Sequence, residues 1–290
     1  MTPFVWIIGL MVAGTTTSFQ LPSTEIFVAE SQIGETGITL TKVMNVTKND
    51  SYDNQPYFID NHLMAYSADN GQGATDIRIH NFADGSTRTL RATPESEFSP
   101  TLTPDGKHLS CIRVEEGGAQ RLWQFPLDGG APQLLHADLR TVGYHTWLGK
   151  KALALFLVGE PHRLVQVQLP DGKPITLAEN IDRGLSRIPG SQSIAYIQRE
   201  KEGGVLLATL TPGKEDRVMV TPTAKESVDM LWLAKDRVLM ARGGVIYQFV
   251  LKKSKQWRQV ADLTKEGVTE ITRLAINPDQ TRLALVVNRP

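Results

Sequence analysis

Beyond residue 20 the apolar residues come in strand-length runs broken by turns. No segment there keeps them at i, i+3, i+4 and i+7 over three helical turns, so the pattern predicts strands rather than helices. One short apolar strand recurs: His62–Tyr66, His108–Ile112, Ala152–Phe156, Ser193–Ile197, Arg237–Met240 and Arg282–Val286. Taking the first branched residue of each as an anchor gives Leu63, Leu109, Leu153, Ile194, Val238 and Leu283. The steps between anchors are 46, 44, 41, 44 and 45 residues, 44 on average.

Glycine turns supply a second, independent ruler. They fall at Ala83-Asp84-Gly85, Leu127-Asp128-Gly129, Pro170-Asp171-Gly172 and Thr211-Pro212-Gly213, with glycines 44, 43 and 41 apart. A tight hairpin asks for positive φ, which glycine adopts without strain. Each turn follows its anchor by 22, 20, 19 or 19 residues, room for one further strand between the two. Every repeat thus reads as four strands: an opening strand, the anchor strand, the strand before the glycine turn and a short last one. In the third repeat the last two are His162–Leu169 and Pro174–Leu177. A four-strand period of ~40–45 residues is that of a β-propeller blade.

The ends of the chain indicate how the ring closes. Only seven residues follow Leu283, so the last repeat holds two strands, and its missing pair is expected at Glu25–Ala29 and Gly37–Val43, ahead of an opening strand near Pro56-Tyr57-Phe58. Completing the carboxy-terminal blade with amino-terminal strands buries edges that an open ring would expose. The expectation is an all-β chain whose residues 21–290 form one six-bladed propeller of four-stranded antiparallel blades. It replaces the two domains that 290 residues suggest at ~150 per domain.

Residues 1–20 read differently. Phe4–Ala13 is an uncharged apolar run of about ten residues, too short for a hydrocarbon core that needs roughly 20. With the small residues Thr16 and Ser18 behind it, the run fits the hydrophobic region of a secretory signal peptide, although no Lys or Arg precedes it. A periplasmic or secreted chain is expected, with no transmembrane anchor in its mature form. The 31 Lys+Arg balance 31 Asp+Glu, which argues against nucleic acid, whose binding needs a basic footprint. One cysteine, Cys111, allows no internal disulfide and no Cys-based zinc cage. Its place two residues after Leu109 assigns it to core packing.

The segment Phe98-Ser99-Pro100-Thr101-Leu102-Thr103-Pro104-Asp105-Gly106-Lys107-His108-Leu109, followed by Leu127-Asp128-Gly129-Gly130, resembles the repeat of TolB-type propellers. Leu274–Leu283 is a weaker echo in which Gln280 replaces the usual glycine. The resemblance implies a six-bladed, usually exported propeller, of a kind that mostly serves as a protein-binding platform; related propellers gate peptidase domains. Within these 290 residues six blades leave no length for a hydrolase domain. The matched motifs are turn chemistry and carry over no catalytic residue.

Searching for chemistry finds no His-Glu-x-x-His run, no nucleophile elbow and no phosphate loop. His62 and His108 precede their anchors at the same repeat position and are read as turn residues of different blades. Lys252-Lys253-Ser254-Lys255 is read as a solvated hairpin. The polar residues leading into the opening strands are Gln55, Glu97, Ser99, His145, Ser186, Asp229 and Glu270. They are the candidates for a binding site at the channel mouth. Two functions follow. The first is a non-catalytic exported platform for a protein partner in the cell envelope or a ligand, with no cofactor. The alternative is a metal-dependent hydrolase, lactonase or lyase at the channel mouth, with calcium held through the carboxylates.

Overall fold

A computed structural model describes residues 21–34 and 37–289, so the expected signal peptide lies outside the described residues. The strands form six four-stranded antiparallel sheets arranged as blades around a central channel. The first blade is β3 (Asp53–Phe58), β4 (Leu63–Asp69), β5 (Thr75–Asn81) and β6 (Thr87–Thr89). The second is β7 (Ser96–Leu102), β8 (His108–Val114), β9 (Gln120–Pro126) and β10 (Gln133–Leu134). The third is β11 (Val142–Trp147), β12 (Ala152–Leu157), β13 (Arg163–Gln168) and β14 (Ile175–Glu179). The fourth is β15 (Ile181–Arg187), β16 (Ile194–Arg199), β17 (Val205–Leu210) and β18 (Val218–Pro222). The fifth is β19 (Leu231–Ala234), β20 (Arg237–Arg242), β21 (Val245–Val250) and β22 (Arg258–Asp262).

The sixth blade joins both ends of the chain. β23 (Ile271–Ile276) and β24 (Arg282–Asn288) are continued outward by β1 (Thr24–Ile33) and β2 (Ile38–Asn45). β1 pairs with β24 from Thr24 opposite Asn288 to Glu30 opposite Arg282. This is the closure expected from the sequence, and it leaves no open blade edge between first and last repeats. Arg289 fastens the seam, its Nε 2.5 Å from Glu25 Oε2 and its Nη1 paired with Asp50.

The six anchors all fall on second strands, and five of them are buried. The reason is that a second strand has a blade packed against each of its faces. In β16, Ile194 and Tyr196 pack toward the third blade, while Ala195 and Ile197 pack against Met230, Trp232 and Val238 of the fifth. A strand buried on both faces reads as a continuous apolar run. The hydrophobic core is therefore a set of layers between neighbouring blades. Cys111 is one of these layer residues, fully buried, and burial pushes its thiol pKa well up.

The glycine turns behave as expected at three positions, Gly85, Gly129 and Gly213, which have φ of 73°, 83° and 80°. Gly172 is different: its φ is not positive, and a Cβ there would lie 2.5 Å from the Gln168 carbonyl oxygen. Close backbone approach, not φ, demands glycine at that turn. Gln280 takes the left-handed conformation (φ 60°) that Gly106 takes in the second blade (φ 69°). Both donate their backbone N–H to the residue three earlier at 2.9 Å. The Gln280 side chain adds a 2.7 Å bond to the Leu233 carbonyl, an anchor to the fifth blade that glycine could not supply. The Lys252–Lys255 turn carries three exposed lysines, as the hairpin reading expects.

Candidate functional site

Every innermost strand carries a β-bulge. The pairing with the second strand slips between Asn54 and Tyr57, Phe98 and Thr101, Val142 and Tyr144, Asp182 and Leu185, Trp232 and Ala234, and Ile271 and Arg273. A bulge inserts an unpaired residue and re-aims the side chains beside it. Gln55 and Ser99 are equivalent bulge residues, both left-handed at φ 57° and 55°. Such backbone costs about 1–3 kcal/mol unless its surroundings enforce it. Here they join each other: Gln55 Oε1 accepts from the Ser99 backbone N–H at 2.7 Å and from Ser67 Oγ at 3.1 Å.

Glu97 lies two residues before Ser99 and is buried. Its Oε1 accepts from Arg113 Nε at 3.0 Å and from Thr93 Oγ1 at 2.5 Å. Desolvation nonetheless pushes its pKa up to about 7. The Arg113 guanidinium is sandwiched onto Trp123 and Phe125, at 4.6 Å and 5.0 Å from their ring centres, which fixes it as a packed partner. His145, on β11, meets Ser110 of the neighbouring blade at 2.7 Å through Nε2. Ser110 Oγ also takes the Trp147 indole N–H at 2.9 Å and donates to the Thr101 carbonyl at 3.0 Å. With its single proton so used, Ser110 must accept from His145, which assigns the Nε2–H tautomer. Burial lowers the pKa of His145 to about 3, so it is a neutral structural donor.

A second polar group spans the other blades. Arg273 of β23 reaches across the channel to Tyr144 of β11, its Nη2 2.9 Å from the hydroxyl. Its Nη1 stands 3.5 Å from Asp229 Oδ1, and Asp229 Oδ2 accepts from the Leu274 backbone N–H at 3.2 Å. Burial raises the Asp229 pKa while Arg273 and Arg183 oppose the rise. Arg183, in the bulge of β15, donates from Nη2 to the Thr272 carbonyl in the bulge of β23, a long contact of 3.5 Å. Gly184 beside it has no room for a side chain: a Cβ would sit 2.6 Å from both Ile197 Cγ1 and the Val228 carbonyl.

Of these residues Tyr144, Arg183 and Thr272 border a cavity of about 370 Å³ at the channel mouth, shared by the third to sixth blades. Tyr144 and Phe156 form one wall, in edge contact at 5.8 Å between ring centres. Asp182 and Arg199 form an ion pair on another. Arg183 and Thr272 line the inner part, and Arg242, Glu226 and Glu270 lie at the exposed rim.

Of the seven residues named from sequence, the structure brings Gln55 and Ser99 into direct contact, with Glu97 beside them. His145 stands apart with Ser110, Asp229 belongs to the Arg273 cluster, Glu270 lies on the cavity rim, and Ser186 bonds only the neighbouring Arg187 carbonyl. The three carboxylates are thus kept apart: Glu97 is held by Arg113, Asp229 by Arg273, and Glu270 stands exposed on the rim. Among the described residues no three His, Cys, Asp or Glu side chains are grouped to hold a metal ion. Sequence reasoning missed Tyr144, Asp182, Arg183, Arg199, Arg242 and Arg273. The signal was the bulge: Ser99 lies ten residues before anchor Leu109, and the same count, within one residue, from Ile194 and Leu283 reaches Arg183 and Arg273.

No protein-family model matches the sequence, and no curated protein matches it. Among solved structures, one assigned as TolB from Agrobacterium tumefaciens aligns with a TM-score of 0.71 at 14% identity, over 93% of this chain and 99% of that one. TolB from Acinetobacter baumannii aligns at 0.58 and 12%, over 92% of this chain but 64% of that one. An oligogalacturonate lyase in complex with manganese aligns at 0.62 and 12%, over 87% and 83%. At these identities the likeness is one of fold, and a fold does not fix an activity. With its six four-stranded blades and its closure by strands from both halves of the sequence, the chain is a six-bladed β-propeller whose fold is similar to that of these TolB structures.

Proposed function

We propose that this chain is an exported, non-catalytic propeller that binds a protein or small ligand at the mouth of its channel. The cavity carries this reading. It is concave, walled by apolar and aromatic side chains with a few convergent polar groups, and built from four blades, the form that binding pockets take. Arg183, Arg199 and Arg242 line it together with Tyr144, and arginine and tyrosine are residue types that dominate interface energetics. The apolar run Phe4–Ala13 and the TolB-type fold support an envelope location with a protein partner. Photo-crosslinking in the periplasm tests it, with the reactive group placed at Glu226 on the mouth or at Ile175 on an outer strand. A partner captured from position 226 and not from 175 is expected. Equal capture from both would overturn a site at the mouth, and none from 226 would overturn a protein partner there.

The alternative is a metal-dependent lyase, lactonase or hydrolase at the same mouth, favoured by the fold likeness to a manganese-bound lyase. To reach a common cation with Glu270, Glu97, Asp229 and His145 would have to leave Arg113, Arg273 and Ser110. Elemental analysis of the purified protein for calcium, zinc and manganese, with thermal shifts on adding each, distinguishes the two.

A further inference from the structure

The cavity is specific about charge, and the inference drawn from it rests on the mouth being a binding site. Arg183 is the unbalanced group. Its Nη2 makes only the 3.5 Å contact to the Thr272 carbonyl, and its Nε is buried with no partner. It has no ion pair among the described residues, because the neighbouring acids are engaged: Asp182 pairs with Arg199 and Asp229 with Arg273. Arg242, at the end of β20 on the same cavity, also has no ion pair among the described residues. A buried donor left unmet is costly, and an acceptor supplied by a ligand would recover that cost.

The surroundings limit what that acceptor can be. A guanidinium offers a planar fork matched to carboxylate or phosphate oxygens. Glu226 and Glu270 stand on the rim, so a doubly charged phosphate would meet two carboxylates on its way in, whereas one negative charge balances Arg183. Phe156, Val158, Val205, Val228 and Ile271 supply an apolar wall, and about 370 Å³ suits a small group. Lys225 and Glu226, at φ 49° and 62°, hold consecutive left-handed conformations at this rim, backbone strain of the kind that gathers at ligand sites.

We propose that Arg183, assisted by Arg242, binds the carboxylate of a singly charged ligand whose apolar side group packs on the Phe156 wall. The ligand is either a small carboxylic acid or the carboxy-terminal residue of a partner chain.

Calorimetric titration of the full chain with N-acetyl-leucine, N-acetyl-leucinamide and a short leucine-ended peptide, free or amidated at its carboxyl end, tests the proposal. Each free acid is expected to bind at least about tenfold more tightly than its amide. Tighter binding by the peptide acid assigns a chain terminus, and equal or tighter binding by N-acetyl-leucine a small acid. Arg183→Gln should lose about tenfold in affinity for the acid and leave the amide unchanged. Arg183→Lys keeps the charge but not the fork, so it should fall between, and it serves as the reporter if the glutamine variant fails to fold. Equal affinity for acid and amide, an unchanged Arg183 variant, or no binding of either acid at about 10 mM would overturn the proposal. Crosslinking from position 226 would still decide the platform reading separately.

Discussion

Arg273 Nη2 lies 2.9 Å from the Tyr144 hydroxyl, and these residues belong to the sixth and third blades, which face each other across a ring of six. A contact across the channel rather than between neighbours ties two opposite sectors of the ring to one another. Tyr144→Phe keeps the ring, its packing on Phe156 and the Arg273 guanidinium 5.2 Å above it, but removes the hydroxyl that Arg273 Nη2 meets. The expected loss is about 1–3 kcal/mol in urea-induced unfolding. The same midpoint as the unmodified protein would show that the cross-channel bond contributes nothing.

Two buried groups give opposite pH dependences. Glu97 has its native pKa raised to about 7, so its contribution is present below its unfolded value and is lost as pH rises through 7. His145 has its native pKa lowered to about 3, so the folded state resists protonation and stability is lost as pH falls below the ordinary histidine value. Between about pH 4.5 and 6.5 the two slopes oppose each other and stability should be nearly flat. Glu97→Gln removes one slope, and its stability should then rise with pH across that window by about 1.4 kcal/mol per unit. Denaturant midpoints measured from pH 4 to 8 check this; a flat profile for the variant would sink the assignment.

Gly184→Ala should destabilise the protein by about 1–3 kcal/mol, because the added methyl has backbone of the fifth blade on one side and Ile197 on the other. Gly190→Ala is the comparison: its Cβ would meet nothing within 4 Å, so only its φ of 67° opposes the change. Thermal unfolding of the pair separates crowding from backbone strain. A smaller loss at 184 than at 190 would refute the crowding argument.

Cys111 should resist a thiol reagent in the folded protein, since its side chain is fully buried and its pKa is raised. Labelling is expected to be slow in buffer and complete on adding denaturant, at a rate set by opening of the second blade. Rapid modification under native conditions would contradict the packing described.

Much of the fold was legible because a blade writes itself twice into the chain. Ile194–Ile197 is apolar throughout since both faces are covered, and Gly85, Gly129 and Gly213 mark turns that need left-handed backbone. Even Gln280, which looked like a lapse in the repeat, occupies the conformation that glycine takes at 106. The site was legible only in part. Gln55 and Ser99 were legible as polar residues leading into their opening strands. Arg183 and Arg273 did not, because alternation assigns an arginine in a strand to solvent, and a one-residue bulge reverses that assignment.

Ring closure also decides on which face the seam between β1 and β24 ends. Asn288 ends the second strand of its blade, as Arg199 and Arg242 end theirs, and Thr24 pairs with it directly. Ser23 and Arg289, joined through their backbones at 3.1 Å, therefore lie side by side on the face that carries the cavity. Any loosening of the seam would begin on that face, so the join that completes the ring and the mouth share one side of the molecule.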